Sequence, residues 1–152
     1  MTGRGNYVAH GLILSACAFF PHLVWEYVQC TLFFVHKGLP PTQTAMVIAT
    51  LGDVLLTWIA YAAVAVVSGR WMWILERWKT RQWATIFAAA LALSLFVEWR
   101  ALSSGRWGYT ELAPIIPGTT ISVIPVLQLI ILFPLSFHLT RYWLRRREER
   151  VR

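Results

Sequence analysis

Four long apolar blocks constrain the fold of this chain more than any other feature of its sequence. They occupy residues 7–35, 45–68, 83–102 and 119–139, and each is long enough for an α-helix to cross a hydrocarbon core of about 30 Å. Only 14% of the 152 residues are charged, against roughly 25% in an average soluble domain. The connections are too short to hold a separate soluble domain. We therefore predict a single all-α domain over residues 1–152, an integral membrane four-helix bundle.

The basic residues predict how this bundle is oriented. Lys and Arg accumulate on the cytoplasmic side of membrane proteins. Of the 14 basic residues, 11 flank one side, near the N-terminus, in the connection 70–82 and in the tail after residue 139. Both termini are therefore expected in the cytoplasm, and the protein in the inner (cytoplasmic) membrane. Because these flanks account for the net charge of +7, no nucleic-acid partner is expected.

The connection 70–82 is expected to lie at the membrane surface. It alternates tryptophans with cations, and indole rings and basic side chains are the groups that the headgroup layer accommodates best. We therefore predict a short interfacial helix there. The basic tail is expected to contact anionic lipid.

The first apolar block contains an ionisable pair in the stretch FPHLVWEYVQ, residues 20–29. His22 and Glu26 are one helical turn apart and Gln29 lies nearly one turn further, so the three share a helix face. Ionisable residues inside membrane spans are costly and usually functional. This face is therefore the first candidate site.

Polar residues of the other three blocks are expected at a similar depth. With the orientation given above, Glu26, Asp53 and Gln128 each lie roughly 15 Å below the outer surface at 1.5 Å per residue, and Glu98 is shallower. We predict that all four helices contribute to one outward-facing polar pocket.

Three carboxylates in such a pocket cannot all be ionised cheaply. A carboxylic acid held protonated there can protonate a carbon–carbon double bond, and aromatic faces can stabilise the resulting cation. In this interpretation Glu26 is the proton donor, Asp53 is its conjugate-base partner, and His22 tunes both. The ligand-binding residues expected around them are Trp25, Gln29, Thr57, Tyr61, Glu98, Trp99, Arg106, Trp107, Tyr109 and Gln128.

Two alternatives stay open at this point. One is a metal site for iron, manganese or zinc, held by His22, Glu26, Asp53 and Glu98, because their nitrogen and oxygen donors suit these ions. The other is a non-catalytic subunit of a larger membrane complex, or a homo-oligomer, in which the same polar residues only hold helices together.

The C-terminal half resembles a known family over about 40 residues. The segments that carry the resemblance are Glu98–Ala101, Gly105–Tyr109 and Pro125–Gln128, with Gly118 between them and Phe133 after them. They are similar to the membrane-embedded lycopene cyclase domain of heterodimeric and fused carotenoid cyclases. That family has paired glutamates where this chain has Leu127 and Gln128. The resemblance implies a cyclase-like scaffold whose acids lie elsewhere, at Glu26 and Asp53.

A second, shorter resemblance covers about 30 residues. His22 and Glu26, followed by Gly52 and Asp53, are similar to the emopamil-binding sterol isomerase family, whose acids move a double bond through a cation. Both resemblances imply isoprenoid lipids handled by buried carboxylates.

The sequence thus predicts a membrane protein whose pocket binds a lipophilic, isoprenoid-like molecule and isomerises or cyclises it by acid–base chemistry. This interpretation requires no cofactor. The expected partners are the lipid bilayer and the lipophilic molecule. The identity of the ligand, and whether the chain is an enzyme at all, stay open.

Overall fold

The computed structural model of the protein describes residues 4–36 and 38–151. Lys37 and Arg152, which count in the charge distribution above, lie outside it, as do residues 1–3 and the side chains of residues 4–6 and 151. Helices account for 76% of the chain. The four long ones are α1 (Arg4–Phe33), α2 (Gln43–Ser68), α3 (Thr80–Ser103) and α4 (Val123–Val151).

All four helices are long and apolar enough to cross a membrane. Their outward faces carry large exposed apolar side chains, such as Val24 at 66% and Val66 at 81% exposure. Such surfaces suit hydrocarbon rather than water. The chain is therefore a multi-pass membrane protein. We call the end of the bundle where α1 begins and α4 ends the terminal end, and the opposite end the hairpin end.

The helices form a closed ring. α1 packs against α2 and α4, and α3 packs against the same two helices. The first and last helices of the chain are thus direct neighbours. Proline lies inside each of them, at Pro21 and Pro134. A proline has no amide hydrogen, so each removes one hydrogen bond from its helix.

Two apolar clusters fill the bundle interior. The larger one lies toward the terminal end and is built around Tyr61, Trp73, Phe133 and Phe137. The smaller one lies toward the hairpin end and contains Cys30, Phe34 and Met46. The buried polar residues of the first apolar block, His22 and Glu26 among them, lie along α1 between these two clusters.

The connection at the terminal end contains one short helix. Residues Trp73–Leu75 form a single turn of 3-10 helix. Trp73 and Trp78 are buried, at 1% and 9% exposure, and the Trp73 indole donates a hydrogen bond to the Tyr61 carbonyl at 3.3 Å. These indoles cover the end of the larger cluster, whereas Trp71 in the same connection is 45% exposed.

The connections at the hairpin end are joined to each other. Strand β1 (Phe34–Val35), which follows α1, pairs antiparallel with β2 (Gly108–Tyr109) in the connection between α3 and α4. Thr110 adds two bonds, from its amide to the Phe33 carbonyl at 3.0 Å and from its hydroxyl to the Leu32 carbonyl at 2.9 Å. The long connection is therefore fixed across the end of α1.

The last helix is much longer than the apolar block that predicted it. α4 continues to Val151, whereas the expected span ended at residue 139. Its final turns carry the basic tail in helical form, because Leu, Arg and Glu are all strong helix formers. The tail arginines therefore lie at fixed positions around one helix.

Candidate functional site

Six polar side chains from three helices meet inside the bundle, and we call them the carboxylate cluster. They are His22, Glu26 and Gln29 from α1, Asp53 and Thr57 from α2, and Gln128 from α4. Asp53 has a side-chain exposure of 15%, and the other five residues are at most 5% exposed. The predicted convergence of Glu26, Asp53 and Gln128 is thus present in the structure.

The side-chain amide of Gln128 occupies the centre of the cluster. Its Nε2 lies 2.8 Å from Asp53 Oδ2, 3.0 Å from Glu26 Oε1 and 3.2 Å from His22 Nδ1. Its Oε1 accepts a hydrogen bond from Gln29 Nε2 at 2.9 Å. One neutral amide therefore connects both carboxylates and the imidazole.

Gln29 and Cys30 complete the surroundings of Glu26. Gln29 Nε2 donates to Glu26 Oε1 at 2.5 Å, and the Cys30 thiol donates to Glu26 Oε2 at 3.3 Å. Both carboxylate oxygens thus have partners on their own helix. Cys30 was not among the predicted site residues, although its position one turn after Glu26 is the sequence signal that could have indicated it.

The two ring nitrogens of His22 face different partners. The Thr57 hydroxyl donates to the Asp53 backbone carbonyl at 2.8 Å, so its oxygen is left to accept from His22 Nε2 at 3.4 Å. His22 Nδ1 faces the Gln128 amide and, at 3.4 Å, Asp53 Oδ2. Unprotonated, Nδ1 accepts from the amide; protonated, it donates to the carboxylate. Both states fit the same side-chain positions.

Glu98 belongs to a separate group at the hairpin end. It is 3% exposed and accepts hydrogen bonds from the Tyr109 hydroxyl and from Trp107 Nε1 at 3.3 Å. Burial, and then the neighbouring Glu98, raise the pKa of the Tyr109 phenol, so it keeps the proton that it donates. Within the described residues, no hydrogen bond joins Glu98 to the carboxylate cluster.

Three other predicted ligand-binding residues lie away from the cluster. Tyr61 is fully buried and donates to the Trp71 carbonyl at 2.5 Å, near the terminal end. Trp99 is 60% exposed. Arg106 is exposed and lies over the Trp107 ring, 5.8 Å from its centre. Among the described residues, none of these three side chains forms a hydrogen bond to the carboxylate cluster or to Glu98.

An apolar groove lies between α1 and α4, and we call it the α1/α4 groove. It has a volume of about 900 Å³ and opens on the flank of the bundle, since lining residues such as Phe20 and Val24 are about two-thirds exposed. The expected pocket faced the outer surface instead. The lining residues are Ala16, Cys17, Phe20, Pro21, Val24, Trp25, Val28, Gln29, Phe33, Ile124, Leu132, Leu135, Leu139 and Trp143.

Two predicted ligand-binding residues, Trp25 and Gln29, form part of the groove wall. The Trp25 indole donates to Gln29 Oε1 at 3.0 Å, and Gln29 in turn bonds to Glu26 and Gln128. Gln29 is thus the link between the apolar groove and the carboxylate cluster behind it. Sequence reasoning missed the groove because it depends on how the first and last helices pack.

The donor atoms of the cluster do not fit the metal alternative. Among the described residues, no group of three or more His, Cys, Asp or Glu side chains is placed to hold a metal ion. The position shared by His22, Glu26 and Asp53 is filled by the Gln128 amide nitrogen, whose hydrogens point at the donors. Glu98, the fourth predicted ligand, bonds to Tyr109 and Trp107 instead.

Comparison with protein-family models, with curated proteins and with solved structures finds no match to this chain. The resemblance to the membrane lycopene cyclase domain therefore stays an expectation from the residues that carry it.

Proposed function

We propose that this protein binds a long-chain, isoprenoid-like lipophile in the α1/α4 groove. The observation that carries the proposal is the combination of an apolar groove of about 900 Å³ with one buried amide, Gln29, in its wall. Ligand sites are typically apolar with a few placed polar groups that fix orientation. The groove faces the lipid phase, so the ligand enters sideways from the membrane.

A groove-filling substitution tests this proposal. Val24 is 66% exposed in the groove wall, and Val66 is 81% exposed on α2, outside it. Val24→Trp should displace the ligand, while Val66→Trp adds the same side chain elsewhere. Binding is measured by extracting and quantifying bound lipophile, and by titrating a polyprenol into the protein in phosphatidylcholine nanodiscs. Equal binding by both variants would refute the groove as the site.

Acid–base catalysis on the bound lipophile is the second candidate function. It is favoured because the carboxylates of Glu26 and Asp53 both accept hydrogen bonds from the Gln128 amide. Gln29 lies between Glu26 and the groove. A proton passed from Glu26 to an alkene carbon forms a C–H bond and leaves a cation. Loss of a proton from a neighbouring carbon to Asp53 restores an alkene, so the step needs no oxidant or cofactor. Gln29 must swing aside for substrate to reach Glu26.

Neutral amide variants separate catalysis from a purely structural role. Glu26→Gln and Asp53→Asn keep the size and one acceptor oxygen of the side chain, but they cannot exchange the proton. We expect both to retain lipophile binding and to lose conversion of an isoprenoid substrate by at least about 100-fold, the lower range for positioned acids and bases. If conversion persists in both variants, the two carboxylates serve to join helices, as in the subunit interpretation.

The proposed orientation places the terminal end in the cytoplasm. It is supported by the distribution of basic residues, of which Arg70, Arg77, Lys79 and Arg81 lie in or next to the connection between α2 and α3. The carboxylate cluster then lies in the outer half of the inner membrane, with the connection between α3 and α4 above it.

A further inference from the structure

We infer that the lipophile in the α1/α4 groove carries a phosphate or diphosphate head, held by Arg146, Arg147 and Arg150 at the terminal end. This inference rests on the proposed function and names the chemical class of its ligand. The ligand would be a polyprenyl-length lipid phosphate, lying along the groove with its head at the arginines and its far end near Gln29.

The groove and the arginines share a wall. A second, smaller cavity of about 210 Å³ lies at the terminal end and is lined by Ile13, Trp143 and the three arginines. Trp143 also lines the α1/α4 groove. Residues 139, 143, 146 and 150 are spaced three or four apart, as are 143, 147 and 150, so they follow one face of α4. An apolar path along this face therefore leads directly to a cluster of cations.

These arginines differ from Arg141 and Arg145, which come earlier in the tail. Arg145 donates to the Leu75 carbonyl at 3.0 Å, and Arg141 lies over the Trp78 ring at 5.8 Å. Both therefore contact the connection between α2 and α3. Arg146 stacks on its neighbour Tyr142 at 4.8 Å. Among the described residues, none of the three arginines of the smaller cavity lies within 4.0 Å of a carboxylate.

The charge of the three arginines therefore favours an anionic ligand. A phosphate head group fits them best. Several guanidinium groups presented together match the multiple charges and oxygens of a phosphate ester better than one carboxylate. The tail acids Glu148 and Glu149 lie between the arginines in sequence, but neither lines the cavity. An anionic head group can thus reach the arginines from the groove side.

The length of the path indicates the length of the chain. Gln29 bonds to Gln128, which places both at one level of the bundle, and Arg147 is 19 residues further along α4. At 1.5 Å per residue the separation is about 28 Å. A membrane acyl chain covers about half of the 30 Å hydrocarbon core. A chain anchored at the arginines must therefore exceed ordinary acyl length to reach Gln29.

The test compares two ligands that differ only in the head group. The full chain in phosphatidylcholine nanodiscs is titrated with a polyprenyl phosphate and with the polyprenol of the same length, and bound lipid is counted by native mass spectrometry. Each arginine near the surface contributes about fivefold. We expect the phosphate to bind at least about 30-fold more tightly, and the double variant Arg147→Gln/Arg150→Gln to lower that preference about 25-fold.

Arg77→Gln/Arg81→Gln is the matched control. It removes two exposed cations at the same end of the bundle, outside the groove, and should change the affinity less than about twofold. An equal loss in both double variants would mean a general surface attraction and would overturn the inference. So would displacement of the lipid phosphate by inorganic phosphate at the same concentration, because the arginines would then be a site for the free ion.

The outcomes also distinguish this inference from the proposed function. If polyprenol and polyprenyl phosphate bind equally and Val24→Trp blocks both, the groove binds lipophiles but the head-group assignment fails. If neither ligand binds, the proposed function fails as well. A preference for phosphatidylglycerol over the polyprenyl phosphate would assign the arginines to bulk anionic lipid and refute the inference.

Discussion

Replacing Gln128 by Leu tests the central role of its amide. The side chain has two amide hydrogens for three acceptors, at 2.8 Å, 3.0 Å and 3.2 Å, and it accepts one bond from Gln29. At any moment it therefore makes about three bonds to other helices. Interhelical hydrogen bonds in membranes contribute roughly 0.6–1 kcal/mol each. We expect Gln128→Leu to lower the free energy of unfolding by about 2–3 kcal/mol.

The chain offers a closely matched control. Gln82 is also 3% exposed, but it makes one bond to another helix, from Nε2 to Ser68 Oγ at 3.1 Å, and caps its own helix through the Lys79 amide. Gln82→Leu should therefore cost about 1 kcal/mol from the interhelical bond, plus the loss of its cap. Both variants are unfolded reversibly in mixed micelles with a denaturing detergent and followed by circular dichroism. If Gln128→Leu costs less than about 1 kcal/mol, the value expected for a single interhelical bond, the amide does not hold three helices together.

The remaining predictions concern the hairpin end and the orientation of the bundle. Tyr109→Phe should cost about 1 kcal/mol because buried Glu98 loses a donor. The pKa of the Tyr109 phenol is raised. The contribution of the phenol to the free energy of unfolding is therefore complete below the ordinary pKa of about 10, and it is lost as the pH rises through the raised value. The free energy of unfolding should therefore fall more steeply above a pH of about 10 in the wild type than in Tyr109→Phe. Parallel curves for the two proteins would contradict this. A membrane-impermeant maleimide applied to intact cells should label Ser104→Cys and spare Thr80→Cys, and the reverse pattern would invert the proposed topology.

Much of the fold could be predicted from the sequence because membrane helices are largely determined locally. Each span must satisfy its own backbone hydrogen bonds in hydrocarbon, so an apolar block of sufficient length becomes a helix. The shared depth of Glu26, Asp53 and Gln128 also followed from counting residues along each span. Those three side chains do meet, bonded to one another through Gln128.

Partners brought together by packing could not be predicted in this way. Glu98 is expected in the same pocket at a shallower depth, yet it bonds to Tyr109 because β2 pairs with β1 and brings the phenol over it. Tyr61 lies on the same stripe of α2 as Asp53, but its hydroxyl meets the Trp71 carbonyl. Depth along a helix says nothing about which neighbour a side chain faces.

The sequence by itself determined four spans, the helix faces that carry ionisable groups, and the charge difference between the two ends, because each depends on residues near one another along the chain. Only the tertiary structure decided that α1 and α4 are neighbours, and that their contact leaves a groove sharing Trp143 with the cavity that Arg146, Arg147 and Arg150 line. The physical reason is that a groove is the space that two packed surfaces fail to fill. It depends on side chains more than 100 residues apart, and no local pattern records how they fit.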